Sequence, residues 1–154
     1  MKKAEIIGEL INTQKRNLGN LKTSLETVRR EAREAPGANV SHSDTSKFQQ
    51  SNLALGIQGR INEIEFILRF LGNLSTDKRD EIVVGSLFAV ENQSCKENNY
   101  YLLVSIGGGE TFAISDRTIM TISAQAPLAI ALIGKKAGYK VNFRGDDLKV
   151  VEVQ

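Results

Sequence analysis

The sequence predicts an α+β fold, in which an N-terminal antiparallel two-helix coiled-coil hairpin precedes a C-terminal antiparallel β domain with one short helix. Apolar residues of the first half recur every three or four positions, proline and glycine interrupt that half, and beyond residue 80 the apolar period becomes two. These three observations place the hairpin in residues 1–75 and the β domain in residues 76–154, with a polar linker at residues 75–80.

The first helix is predicted from an unbroken heptad seam, in which apolar positions are separated by alternating steps of four and three. Most residues between the seam positions are charged or polar, as expected of a solvated face. One seam member, Gln14, is polar. The seam consists of Ile7, Ile11, Gln14, Leu18, Leu21, Leu25, Val28, Ala32 and Ala35.

A second helix follows a strong stop at residues 36–39, which read Pro-Gly-Ala-Asn. Its seam again steps by three and four and ends before Gly72 and Asn73. Two helices of about 30 residues joined by a short turn lie antiparallel, each roughly 45 Å long. The second seam consists of Ala54, Ile57, Ile61, Ile64, Leu68 and Leu71.

The β domain is predicted from short apolar runs with a period of two. Pro127 opens a short helix that extends to about residue 133. The glycines at residues 107–109 predict a hairpin turn between the second and third strands, and residues 144–147 predict the turn of the last hairpin. The predicted strands are residues 82–90, 100–106, 111–114, 118–123, 140–143 and 148–153.

Composition excludes several classes of protein. The net charge is +2, with +3 in residues 1–75 and −1 in residues 76–154, so the chain is not a polycation that coats nucleic acid by charge alone. Cys95 is the only cysteine, which rules out an intramolecular disulfide and favours a reducing compartment. One cysteine and one histidine do not make a zinc site. We find no signal peptide and no apolar run of membrane-spanning length, so we expect a cytoplasmic protein without membrane contact.

Two segments resemble the GreA/GreB family of transcript-cleavage factors. Residues 122–138 are similar to the family's C-terminal signature, in which a strand leads to a short helix and a Gly-Lys-Lys turn, and residues 59–65 are similar to its Gly-Arg-Ile motif. The order of hairpin, linker and β domain also agrees. The resemblance implies an FKBP-like β domain and a partner, RNA polymerase, whose secondary channel receives the coiled coil. It implies that the β domain docks at the channel rim through Pro127, Leu128, Gly134, Lys135, Lys136 and Gly138.

The turn between the helices departs from the family pattern. In the family, acidic residues at this tip help to hold a second Mg²⁺ at the polymerase's own active site. Alignment places the two acids at Val40 and Ser43, or at Ser41 and Asp44, so at most one carboxylate, Asp44, survives. The resemblance therefore implies no intrinsic cofactor and no catalytic residue of the chain's own. Mg²⁺ held jointly with the polymerase through Asp44, beside Ser41 and Ser43, is the metal hypothesis.

Several of these residues also have a structural interpretation. Asp44 precedes a helix and can cap it instead of holding metal. His42 is either a solvated turn residue or a contact to polymerase or RNA. The arginines of the first helix, Arg29, Arg30 and Arg33, form either a solvated face with favourable charges near a helix C-terminus or a surface that meets RNA phosphate or acidic channel walls. Lys135 and Lys136 lack the spacing of a phosphate loop, so no dinucleotide site is expected.

The sequence thus favours a Gre-like transcription factor that modulates elongation or the cleavage of backtracked RNA and that is not itself an enzyme. One alternative is a non-cleaving regulator that competes with true Gre factors, because the acidic pair is missing from the tip. Another alternative is a coiled-coil adaptor that acts outside transcription. A prolyl isomerase, suggested by the FKBP-like half, is a weaker alternative because the β domain is short.

Overall fold

The computed structural model describes residues 3–34, 41–105, 107–114 and 116–154, with the backbone alone for residues 41–46. Two long helices precede a sheet domain that carries one short helix, so the predicted fold class is confirmed. The elements are α1 (Lys3–Glu34), α2 (Ser41–Gly72), β1 (Leu87–Asn92), β2 (Glu97–Val104), β3 (Thr111–Ile114), β4 (Arg117–Ser123), α3 (Pro127–Leu132), β5 (Lys140–Phe143) and β6 (Asp146–Val153).

The chain divides into two compact units. The hairpin unit comprises Leu10–Asn73, and the sheet unit comprises Met1–Glu9 together with Leu74–Gln154. The first residues of α1 therefore belong to the sheet unit, where the backbone N–H of Lys3 donates to Oε1 of Gln154 at 3.2 Å. The Pro-Gly-Ala-Asn stop predicted at residues 36–39 lies outside the described residues.

In the hairpin unit, two side-chain contacts fix the antiparallel register. Lys22 Nζ lies 3.1 Å from a carboxylate oxygen of Glu65, and Nη2 of Arg29 donates to Oε1 of Gln58 at 3.3 Å. Seven residues forward along α1 thus correspond to seven residues back along α2, as expected for antiparallel helices in constant register. Buried seam residues lie between these contacts and beyond them, among them Gln14, Leu25, Val28, Ile61, Ile64 and Leu71.

The six strands form one sheet in the order β3-β4-β2-β1-β6-β5. The prediction of a wholly antiparallel sheet is wrong in one pair, because β2 and β4 run parallel, from Tyr100 opposite Ile119 to Val104 opposite Ser123. The sheet is therefore mixed. Its α3 side holds the main core, whose members are Ile82, Phe88, Val90, Leu103, Ile122, Ala129, Leu132, Val150 and Val153.

The glycines at residues 107–109 explain the parallel pair. The prediction that they close a hairpin is wrong, because β3 pairs with β4 and not with β2. At the end of β2, Val104 lies opposite Ser123 of β4. On the other edge of β4, which pairs with β3, the N–H of Gly109 donates a hydrogen bond to the carbonyl of Thr121 at 2.7 Å. A Cβ on Gly108 would lie 2.7 Å from the backbone nitrogen of Ser123. The segment therefore crosses the end of β4 at a distance that only glycine allows.

The first strand also differs from its prediction. Residues 82–86 do not belong to β1, because Gly85 has a φ of 91° and the N–H of Ser86 closes a turn onto the carbonyl of Val83 at 2.8 Å. The last hairpin is confirmed, but its turn is shorter than the predicted residues 144–147 because β6 already begins at Asp146. Its two-residue turn has positive φ at both Arg144 and Gly145, which matches the twist of the strands that it joins.

Candidate functional site

The arginines predicted near the end of α1 lie together on the hairpin unit. Arg29, Arg30 and Arg33 line a surface cleft of about 440 Å³ together with Lys22, Leu25 and Glu26. Steps of three and four between these positions place them on one side of the helix. Leu25 is buried, so the cleft has an apolar base beneath a rim that is mostly basic.

The three arginines are not equivalent. Arg29 is engaged with Gln58 of α2, and Lys22 is engaged with Glu65. Within the described part of the chain, Arg30 and Arg33 are exposed and make no ion pair or hydrogen bond. These two guanidinium groups are therefore free to meet an anion, for which their planar fork of donors is well suited.

The second predicted surface is the segment from α3 to the following turn, and the structure brings its residues together. α3 begins at Pro127 and directs Ala129 and Leu132 into the core, with Leu128 packed at its margin. Gly134, with a φ of 76°, ends the helix. Its N–H donates to the carbonyl of Ile82 at 2.8 Å, which fixes the turn against the sheet unit.

The lysine turn is held by further backbone contacts. The carbonyl of Lys135 accepts from the N–H of Ile82 at 2.9 Å, and Lys136 forms a β-bridge with Glu81. Gly138 has a φ of 91° and donates to the carbonyl of Val150 at 2.7 Å. The resemblance motif is thus a rigid structural turn, in which the ammonium of Lys135 lies over the ring of Tyr139 at 4.6 Å from its centroid.

Two exposed residues of this segment were missed by the sequence prediction. Ile130 is 66% exposed and Ile133 is 40% exposed, although both are large and apolar. Ile130 lies in α3 and Ile133 is the residue that caps its end, whereas Ala129 and Leu132 of the same helix are buried. The helical spacing in the sequence carried this signal, because two apolar pairs offset by one residue cannot share one face. Exposed apolar side chains that lie close together in sequence at the end of a short helix offer a surface for protein binding.

The tip residues lie in the first turn of α2, which begins at Ser41. His42, Ser43 and Asp44 follow in the same turn, and the side chains of all four residues lie outside the described part. This donor set contains one carboxylate and two hydroxyls. Mg²⁺ prefers several hard oxygen ligands with at least one or two carboxylates or phosphates, so these residues alone do not fit a magnesium site.

Elsewhere in the described residues, no group of three or more His, Cys, Asp or Glu side chains is placed to hold a metal ion. None of the described helices combines the length and the apolar character needed to cross a membrane. Burial raises the pKa of Tyr101, which stacks on Phe88 in the core. Burial also lowers the pKa of Lys3, assisted by the charge of Arg79 and opposed by Asp77. Neither group belongs to the two surfaces described above.

Comparison with known proteins finds sequence relatives that are GreA transcription elongation factors. No family model matches the chain. The chain is 27% identical over 120 residues to the transcription elongation factor GreA of Streptococcus pyogenes serotype M5, an alignment that covers 74% of this chain and 69% of the relative. It is 31% identical over 87 residues to GreA of Streptococcus mutans serotype c, covering 55% of this chain and 51% of the relative.

A search of solved structures finds GreA factor homolog 1 of Thermus thermophilus, with 19% identity, 94% of each chain covered and a TM-score of 0.38. That score is too low to support an inference, so only the sequence matches are used. By its sequence, this chain is similar to GreA transcription elongation factors.

Proposed function

We propose that this chain binds RNA polymerase at its secondary channel and modulates elongation or the cleavage of backtracked RNA. The observation that carries the proposal is the exposed Ile130 and Ile133 pair, because it lies within the segment that resembles the GreA/GreB signature. A surface of this kind has no role in the core, and a rigid turn of Gly134 and Gly138 holds it in place. We assign it to docking on the polymerase at the channel rim.

The hairpin unit is proposed to enter the channel, as the coiled coil does in the resembling family. Its constant register from Lys22 to Arg29 makes it a regular two-helix rod over this length. In the part of the chain that the structure describes, no group of three or more His, Cys, Asp or Glu side chains is placed to hold a metal ion, and we propose that the cleavage chemistry belongs to the polymerase. This action places the protein in the cytoplasm, where bacterial transcription takes place.

Regulation without strong cleavage is the form of this function that the tip favours. The alignment leaves Asp44 as the one carboxylate among Ser41, His42 and Ser43. A cleavage factor must supply enough oxygen ligands to hold a metal that activates water. We therefore propose that the chain occupies the channel and competes there with GreA proteins, and that its own stimulation of cleavage is weak.

The arginine cleft is proposed to meet RNA phosphate or acidic channel walls. Replacing Arg30 and Arg33 together by Glu is expected to weaken polymerase binding by about tenfold or more at low salt, because two charge-assisted contacts become repulsive. The loss should shrink as salt rises, since exposed charges are screened. Titration of labelled protein into core polymerase at two salt concentrations measures both effects.

The matched control is replacement of Lys15 and Arg16 by Glu, which changes the net charge equally on the same helix outside the cleft. Both of these residues are exposed. The control should bind like the unchanged protein. Equal affinities of the two double variants would remove the cleft from the binding surface.

A direct binding experiment tests the proposed function as a whole. The full chain is mixed with purified bacterial core polymerase, the complex is separated by size, and GreA is then added as competitor. We expect a one-to-one complex from which GreA displaces the chain. If no complex forms at micromolar concentration, the proposed function is wrong, and the coiled-coil adaptor becomes the better description.

A further inference from the structure

Helix α2 carries a second apolar stripe, which the hairpin does not use. Phe48 is 67% exposed, Leu55 is 71% exposed and Phe66 is 39% exposed. These residues are separated by seven and eleven positions, which at about 100° per residue brings all three within roughly 20° of one line along the helix. Gly59 lies on the same line, and a Cβ there would meet open space. We call these four residues the outward stripe.

The outward stripe lies opposite the seam that faces α1. Leu55 and Ile64 are nine positions apart, as are Phe48 and Ile57, and nine positions correspond to about two and a half helical turns. Ile64 is buried and Leu55 is exposed, so the two sides are distinguished by burial as well as by spacing. No large apolar side chain is exposed on the described part of α1. Pairing within the hairpin therefore accounts for the apolar face of α1 but for only one of the two apolar faces of α2.

The charges around the stripe exclude nucleic acid as its occupant. The twelve residues from Phe48 to Gly59 contain no charged side chain. The nearest cations are Lys47 and Arg60, and Arg60 is bonded to Glu63 at 2.6 Å. Binding to a phosphate backbone requires cations that replace condensed counterions, and this face offers none over three turns. An uncharged protein surface is the complementary partner.

The exposed area argues against a second copy of the chain. At roughly 200 Å² for a large side chain, the exposed fractions leave about 350 Å² of apolar stripe on each copy. Two stripes packed together would bury about 700 Å², which is below the roughly 1,200 Å² of a stable interface. A groove that surrounds the helix also buries the residues on both sides of the stripe. A larger partner with a concave apolar surface therefore fits the stripe better than a second copy of the chain does.

We propose that the outward stripe docks into an apolar groove of a protein partner, and that this groove belongs to RNA polymerase along the channel that receives the hairpin. This inference rests on the proposed function and adds a partner surface to it. On α1, the cleft with Arg30 and Arg33 binds anionic groups of the partner. On α2, the outward stripe binds an uncharged apolar surface of the partner. The hairpin consequently enters in one rotational orientation, because its two helices require different neighbours.

The test compares Phe48→Gln/Leu55→Gln with Leu53→Gln in the full chain. Leu53 is also exposed on α2 but lies five positions from Phe48, outside the stripe. Glutamine preserves helix propensity, and neither position packs in the seam, so thermal unfolding should not change measurably. We expect the double variant to bind core polymerase at least about tenfold more weakly, as for apolar anchors of helix-in-groove contacts, and Leu53→Gln to bind within about threefold of the unchanged chain.

The possible outcomes separate this inference from the proposed function. If the unchanged chain binds polymerase and the double variant binds equally well, the stripe is not a docking face, while the proposed function stands. If the unchanged chain does not bind polymerase, both proposals fail. A photoreactive residue in place of Leu55 should crosslink to a polymerase subunit in the complex. Crosslinking to RNA, or dimers in sedimentation that the double variant loses, would overturn the assigned occupant.

Discussion

Ile130→Asp is expected to reduce binding to RNA polymerase by about thirtyfold or more. An apolar anchor at the centre of a docking surface contributes about 2 kcal/mol or more to binding, and a carboxylate buried in its place adds a desolvation cost. The side chain is 66% exposed in the free protein, so the fold should be unaffected. Thermal unfolding followed by circular dichroism checks the fold, and fluorescence titration with core polymerase measures the affinity.

The control for this change is Val151→Asp, which introduces the same charge at an exposed apolar position of β6. Because β6 does not carry the resemblance motif, the control should bind polymerase normally. The outcome that contradicts the docking assignment is an Ile130→Asp protein that is folded and binds as tightly as Val151→Asp. Reduced binding of both variants would point to a general effect of charge on the sheet unit.

Gly108→Ala is expected to destabilise the sheet unit by about 3 kcal/mol or more. Gly108 has a φ of 111°, a conformation that side-chain-bearing residues rarely adopt, and its added Cβ would lie 2.7 Å from the nitrogen of Ser123. That atom belongs to the backbone of β4 and cannot rotate away. In a domain of this size the melting temperature should fall by about 10 °C or more.

Gly109→Ala provides the matched comparison. Its φ is 84°, but a Cβ there meets nothing within 4 Å. The variant therefore carries only the conformational cost of about 1–2 kcal/mol. The difference between the two variants measures the steric cost of crossing β4. Equal melting temperatures for Gly108→Ala and Gly109→Ala would contradict the close crossing, and with it the reason given for the parallel pair.

The hairpin could be predicted from sequence because its pattern is long and local. The steps of three and four from Gln14 to Val28 have one physical solution, a seam between two helices. The outward stripe was not predicted, although Phe48 and Leu55 are plainly visible in the sequence. The seam of α2 with Ile61 and Ile64 was predicted and is buried, but the sequence gives no separate signal that apolar residues on the other side of the same helix stay exposed.

The strand pairing could not be predicted, because pairing partners are distant in sequence. A run of three glycines permits a hairpin turn and a tight crossing equally well. The contact between Gly108 and Ser123 joins residues fifteen positions apart and has no local signature. The start of β1 was missed for a related reason, since residues 82–84 have strand-like composition but the turn at Gly85 separates them from the sheet.

The candidate site was predicted in part. The arginines of α1 were identified by charge, and the structure places them around one cleft. The segment that we propose to dock was identified through its resemblance motif, and motif glycines such as Gly134 and Gly138 shape its turn. The exposed side chains that such a turn presents, Ile130 and Ile133, are not motif residues. Their exposure follows from the packing of Ala129 and Leu132, which becomes evident only in the folded sheet unit.

Occupation of the secondary channel is tested most directly by RNA cleavage in backtracked elongation complexes. The complexes are incubated with the chain, with GreA, and with GreA plus increasing amounts of the chain. We expect little shortening of the RNA by the chain alone, no change on Asp44→Ala, and dose-dependent inhibition of the cleavage that GreA stimulates. Suppose that the protein stimulates no RNA cleavage by itself and that GreA-stimulated cleavage is unchanged at a saturating concentration of the protein. That result would contradict occupation of the channel by this protein.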